Sequence, residues 1–253
     1  MVLERESVSS FLKGREIEPY LILPSGQVVI IPYRVEDGRP MLISESEFKQ
    51  RFPNAYAYLR ENRSYLEGRE RGRMKGPQWH GYVYPKNIEV MTSAKILVPD
   101  ISDRASFALD EEAQYAFVSG YGITLKDTVS ETPKYILGLL NSKVLDFYLK
   151  QVSTAMRGGF FRYFTQFIEQ LPLRTIDFSN PAEKAKHDKM VALVESMLEL
   201  QKKYHDAKME RDKEFYERQI KVVDAQIDKL VYELYGLTEE EIRVVERVSR
   251  DEE

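Results

Sequence analysis

After the turn Ser179-Asn180-Pro181, apolar residues recur at helical spacing through residue 235, with charged residues concentrated between them. Met190, Leu193, Val194, Met197, Leu198 and Tyr204 form one stripe, and Phe215, Ile220, Val223, Ile227, Leu230, Val231 and Leu234 form a second. Each stripe fits a helix of about 24 residues, roughly 36 Å long. A stripe this narrow is hidden by another stripe, so the pair is expected to pack antiparallel with the far faces exposed. Gly236 supplies a C-terminal stop, and Thr238 with Glu241 has the capping-box spacing that opens a short final helix.

The chain before that turn mixes two periods. Residues 20–24 and 27–35 have strand character and are separated by Pro24-Ser25-Gly26, and Asp37-Gly38 precedes a further apolar run, Pro40-Met41-Leu42-Ile43. A short antiparallel meander is expected there. Ser44 and Glu47 form a capping box, and Pro53 starts a second helix. Gly, Arg, Lys and aromatic residues dominate residues 68–85, which suits an exposed loop. Strand character returns at residues 95–99 and 115–118, and one helix is expected from Pro133 through Leu149. The fold class expected is therefore an α+β (mixed α/β) domain over residues 1–175, followed by an antiparallel two-helix coiled hairpin with a short terminal helix over residues 181–253.

A chain of 253 residues buries most of its unfolded surface without staples. It has no cysteine, which removes disulfides, thiolate metal sites and cysteine nucleophiles. The charged first residues do not resemble a signal peptide, and no apolar run approaches the roughly 20 residues that span a bilayer. A cytoplasmic protein with no membrane partner is expected. The net charge of -4 is unevenly placed: residues 181–253 hold 14 basic and 19 acidic side chains, whereas residues 51–95 hold nine basic and four acidic. A local basic surface can therefore bind phosphate on an acidic chain.

No complete catalytic site is legible. The glycine-rich cofactor turn and the Asn/Asp-Pro-Pro-aromatic segment of DNA methyltransferases are both missing. Gly120-Tyr121-Gly122 lacks the third glycine of a nucleotide loop and reads as a bent strand or bulge. Asp100 has no acidic and lysine partners at nuclease spacing. Asp206-Ala207-Lys208 falls in the helical region as a solvated pair, and His80, His187 and His205 are scattered. No catalytic residue, no metal ligand and no cofactor are expected in this chain.

Two segments carry binding chemistry. Arg60, Arg63, Arg69, Arg71, Arg73 and Lys75 are closely spaced, and Trp79, Tyr82 and Tyr84 follow. Arginine suits phosphate contact and bidentate reading of guanine. The alternative is a charged helix end paired with Glu61, Glu67 and Glu70, with Trp79 buried. The second segment runs from Met156 through Arg157-Gly158-Gly159-Phe160-Phe161-Arg162 to Tyr163, where paired glycines permit close backbone approach to a phosphate. Phe160, Phe161 and Phe164 are expected to enter the core, while Arg157 and Arg162, with Tyr163, are expected to bind.

An ordered series of short segments extends over nearly the whole chain: Phe11-Leu12-Lys13-Gly14-Arg15-Glu16-Ile17, Ile30-Ile31-Pro32-Tyr33, Phe52-Pro53-Asn54-Ala55-Tyr56 and Leu66-Glu67-Gly68-Arg69-Glu70. It continues with Lys95-Ile96-Leu97-Val98-Pro99, Leu139-Leu140-Asn141-Ser142-Lys143, Arg157-Gly158-Gly159 and Gln170-Leu171-Pro172-Leu173. The series resembles the TaqI-like C-terminal specificity domain, the target-recognition module of type IIG restriction enzymes and related adenine-specific DNA methyltransferases. The helical pair and the ending Leu230-Val231-Tyr232-Glu233-Leu234-Tyr235-Gly236 resemble the helical conserved region of those proteins and of type I specificity subunits. The resemblance implies recognition of double-stranded DNA, with the helices as a spacer. It also implies a methyltransferase or nuclease core, in cis or in trans, that would carry S-adenosylmethionine and Mg. This sequence departs from full-length members in having neither catalytic segment. From a different class, the long helical pair is also compatible with a protein-protein interaction scaffold.

Overall fold

The computed structural model describes residues 2–250, so residue 1 and residues 251–253, the outermost positions of the expected domains, lie outside it. In chain order the strands begin with β1 (Val8–Lys13), β2 (Ile17–Glu18), β3 (Leu21–Ile22), β4 (Val28–Ile30), β5 (Tyr33–Glu36) and β6 (Arg39–Leu42). Helices α1 (Glu45–Arg51), α2 (Pro53–Glu61), α3 (Arg63–Gly72) and α4 (Ile88–Met91) follow. Then come β7 (Lys95–Pro99), β8 (Ile101–Ser102), β9 (Ala108–Asp110), β10 (Tyr115–Val118) and β11 (Gly120–Ile123). The remainder is α5 (Pro133–Leu140), α6 (Lys143–Val152), β12 (Phe161–Arg162), α7 (Thr165–Ile168), α8 (Pro181–Asp206), α9 (Glu210–Tyr235) and α10 (Glu239–Arg250). Helices and small sheets together make an α+β fold.

The chain forms two compact units, each assembled from separated segments. The first takes the described residues up to Leu12, with Pro24–Ala94 and Glu112–Phe117; the second takes Lys13–Leu23, Lys95–Glu111 and the described residues from Val118 onward.

In the first unit, β10, β1 and β4 make a three-stranded sheet and β5 pairs with β6. Asp37 and Gly38 both have positive φ, 48° and 72°, the backbone that a tight two-residue hairpin needs. Ser44 caps α1 by accepting from the Glu47 N–H at 3.3 Å, as its spacing predicts. The first turn of α2 is capped from far along the chain, since the Glu4 carboxylate accepts from Asn54 and Ala55 N–H at 2.8 and 3.0 Å. Phe48, Phe52, Ala55, Leu59, Ile43 and Trp79 form the core under these helices.

The expected meander forms only in its last hairpin, β5 with β6. β3 pairs with β2, Ile22 opposite Ile17, and β4 pairs with β1, Ile30 opposite Val8, so the two runs join different partners. Gly26 marked the turn between them, but strand partners are chosen by burial, to which a local pattern is blind.

The second unit is built on β11-β7-β9, with β7 buried along its whole length. The Gly120-Tyr121-Gly122 segment lies in β11, where a Cβ on Gly120 would come 2.6 Å from the Val98 carbonyl oxygen. Gly14 is equally confined, 2.5 Å from the Ser119 carbonyl oxygen by the same measure. The helix expected from Pro133 through Leu149 is two helices, because Asn141 and Ser142 interrupt it. The Asn141 amide accepts from Phe107 N–H at 2.8 Å and donates to Phe107 C=O at 2.9 Å, and Ser142 caps α6.

α8 packs against α9 and also against α5, and α9 packs against α6. Met190, Val194, Ile227 and Val231 enter the same core as Ile96, Phe107, Tyr135 and Leu139. The stripes thus cover more than each other. Among the described residues, no helix is long and apolar enough to cross a membrane.

Candidate functional site

The first basic segment belongs to the first unit, and its six cations divide by what they already touch. The Arg63 guanidinium donates to Glu67 at 2.8 Å, lies 3.6 Å from Glu45 and covers the Trp79 ring at 4.8 Å. Burial pushes the Glu45 carboxyl up, yet the nearby Trp79 indole, the Tyr56 hydroxyl donating at 3.0 Å, Arg63 and His80 outweigh it and hold it below its ordinary value. Arg69 is also committed: Nε donates to the Leu66 carbonyl at 2.8 Å, and one terminal nitrogen donates to the carbonyls of Trp79 and Gly81, each at 2.9 Å.

At Arg69, with φ -58° and ψ 144°, the helical conformation ends. Glu70 (φ 48°, ψ 48°) and Arg71 (φ 59°, ψ 32°) are left-handed, and Gly72 follows at φ 89°. Two consecutive non-glycine residues in this region cost about 1–2 kcal/mol each, so the surrounding contacts must hold them. Met74 is buried, and on either side of it Arg71, Arg73 and Lys75 stand exposed. Arg73 stacks 5.5 Å from the centre of the exposed Tyr84 ring. Arg60, Arg71 and Lys75 have no carboxylate partner among the described residues. The exposed members offer positive charge and N–H donors, which meet anionic oxygens.

Trp79 is corrected. It is 0% exposed, packed edge-on to Tyr56 and His80 beneath Arg63, so its ring cannot reach a ligand. Arg63 and Arg69 are likewise occupied within the fold, the first by Glu67, which the alternative reading named, and by Glu45, which it did not, the second by backbone carbonyls.

The second basic segment belongs to the second unit and is a small hairpin. Met156 N–H donates to Phe160 C=O at 2.7 Å, Ala155 bridges Phe161, and the Ser153 hydroxyl donates to Arg162 C=O at 2.6 Å. Arg157, Gly158 and Gly159 form its tip, with Gly158 and Gly159 at φ 92° and 80°, which favours glycine at both. β12 then pairs with β8, Arg162 opposite Ile101.

Arg157 is exposed at the tip. Arg162 is half-buried over the Phe164 ring at 5.3 Å, and its Nε, shielded from solvent, meets no acceptor among the described residues. Tyr163 is corrected in the same way as Trp79: it is fully buried, its hydroxyl donates to Asp146 at 2.7 Å and its ring packs on Phe107.

Phe160, expected in the core, is misplaced in the opposite sense. It is 42% exposed beside the tip, while Phe161 faces inward beneath Lys150. Alternate residues of an extended arm face opposite ways, so only one of two adjacent phenylalanines could enter the core. That signal was present in the sequence.

Among the described residues, no group of three or more His, Asp or Glu is gathered as a metal ion would require. Residues 9–173 match the TaqI-like C-terminal specificity domain. Over 242 residues, 92% of this chain, the sequence is 25% identical to the type II restriction enzyme and methyltransferase RM.Eco57I of Escherichia coli, 24% of which is covered. It is 31% identical over 124 residues to the type II methyltransferase M.BanIII of Aneurinibacillus aneurinilyticus, covering 48% of this chain and 21% of the relative. With the type II methyltransferase M.XhoI of Xanthomonas vasicola it shares 26% identity over 223 residues, 88% of this chain and 34% of the relative. The chain thus spans between 21% and 34% of the length of these curated relatives.

Proposed function

The chain belongs to the TaqI-like C-terminal specificity domain family, and on that premise we propose that it recognises a short sequence in duplex DNA as the specificity module of a type IIG-like restriction-modification methyltransferase or endonuclease. A catalytic core, in cis or in trans, would bind S-adenosylmethionine and Mg and act where this module places it. α8 and α9 are read as an antiparallel hairpin that serves as the spacer to that core. The observation that carries the reading is the exposed edge made by Arg71, Arg73 and Lys75 around the buried Met74. Arg60 in the same unit, and Arg157 and Arg162 on the hairpin of the second unit, complete the set of cations assigned to DNA.

Selection from a random duplex library, followed by mobility shift at low ionic strength, tests this directly. The wild-type chain is expected to enrich one sequence. Each phosphate contact contributes about 0.9 to the slope of log affinity against log salt, so the triple variant Arg71→Ala, Arg73→Ala, Lys75→Ala should flatten that slope by about 2.7. Failure of the wild-type chain to bind any duplex, alone or with a catalytic core, sinks the proposal.

A protein-association scaffold is the second reading, favoured by Tyr204, Met209, Phe215 and Val222, apolar side chains exposed on α8, α9 and their connection. A pull-down whose partner binding ignores both salt and DNA would favour it.

A further inference from the structure

We propose that Arg69 is a positioning residue: its guanidinium locks the left-handed turn at Glu70-Arg71-Gly72 and so aims Arg71, Arg73 and Lys75 at the DNA backbone, while Arg69 itself does not touch DNA. The proposal rests on the DNA-binding reading above.

The geometry divides the work. Three of the five N–H donors that a guanidinium owns are directed at backbone carbonyls, on Leu66 before the turn and on Trp79 and Gly81 after the loop. The acceptors beyond the loop sit on a rigid stretch. Trp79 is wholly buried and the neighbouring His80 ring nitrogen lies 2.8 Å from the Ile43 carbonyl. A Cβ on Gly81 would come 2.9 Å from the Tyr33 hydroxyl oxygen, and the next residue, Tyr82, donates its N–H to that hydroxyl at 2.7 Å and its own O–H to the Ile30 carbonyl at 2.7 Å. Arg69 therefore staples the two ends of residues 70–78 to a fixed support.

Between those ends the loop takes positive φ at Glu70, Arg71, Gly72 and Gly76, and Met74 is its buried anchor. Released from the staple, Glu70 and Arg71 would return to ordinary backbone conformations and the three cations would scatter. Ordering them on binding would then weaken association, because affinity gained from charge is lost to the freezing of mobile side chains. Lysine cannot replace this arginine, since one ammonium on a flexible stem does not reproduce a planar fork spanning three carbonyls.

The test uses the whole chain as wild type, R69A, R69K and R71A, with the duplex obtained by selection and with backbone amide exchange read across residues 70–81 in the absence of DNA. R69A and R69K should both weaken binding about tenfold or more and both speed exchange in the loop. R71A should weaken binding with exchange unchanged. Asparagine tolerates the left-handed region, so adding Glu70→Asn to R69K should recover part of the lost affinity, which a contact role for Arg69 does not predict. Wild-type binding by R69K, or wild-type exchange in R69A, overturns the inference. Absence of duplex binding by the wild-type chain overturns the functional reading instead, and the exchange data still decide whether Arg69 holds the loop.

Discussion

Lys95 and Asp110 face each other across β7 and β9, ammonium to carboxylate at 2.5 Å, with side chains 0% and 2% exposed. Burial pulls the Lys95 pKa down and Asp110 opposes it, so each charge depends on the other for its place in the core. Asp110→Ala strands the ammonium without its counter-charge, at a cost of about 3–5 kcal/mol. For a chain of this size that corresponds to a melting temperature lower by about 6–20 °C. Replacing both partners, Lys95→Met with Asp110→Leu, removes the two desolvated charges together and should return stability to within about 1 kcal/mol of wild type, or exceed it. Circular dichroism melts with parallel urea titrations measure both quantities. The reasoning fails if Asp110→Ala costs less than about 1 kcal/mol, or if the double variant is as damaged as the single one. In either case the pair would not be what burial of these two side chains makes it.

Two glycines of the same chain should respond oppositely to alanine. At Gly14 the new Cβ meets backbone, the Ser119 carbonyl oxygen at 2.5 Å, so Gly14→Ala should destabilise by about 1–3 kcal/mol; at Gly68, where nothing lies within 4 Å and φ is not positive, the change should be neutral or slightly stabilising. Equal melting temperatures for the two variants would refute the contrast. Asp228 supplies a pH signature. Burial raises its pKa above the ordinary 3.8, and Lys143, 3.2 Å away and bonded through its N–H at 3.0 Å, only partly offsets this. The folded state therefore holds this proton more tightly than the unfolded chain, and the stability gained from it is complete below pH 3.8 and lost as pH rises through the raised value. Asp228→Asn should accordingly gain on the wild type as pH goes from below 3.8 to 7 in urea titrations; a relative loss over that range would mean that Lys143 outweighs burial.

Local signals decided a good deal without help. The Ser44 and Glu47 spacing, Pro53, the Asp37-Gly38 turn, Gly236 and the Thr238 capping box each act within a few residues, and α1, α2, the β5–β6 hairpin, the end of α9 and the start of α10 fall where they direct. The two apolar stripes likewise specified α8 and α9. The ordered motifs named the family, and the charge count located the basic segments.

Only the tertiary structure decided which cations remain available. Arg63, Arg69 and Arg71 look alike in a row of basic residues; beyond the local contacts to Glu67 and Leu66, what separates them is a carboxylate at Glu45 and carbonyls at Trp79 and Gly81, brought within reach by the fold. The same holds for Trp79 and Tyr163, which are buried. The break between α5 and α6 depends on Phe107, whose peptide occupies the Asn141 amide. Periodicity and capping are short-range properties of the backbone, whereas pairing and burial depend on groups distant in the chain. The sequence by itself determined that this protein has helical stripes, capped helices and two basic segments; the packing of distant groups determined which arginines hold the loop and which face outward.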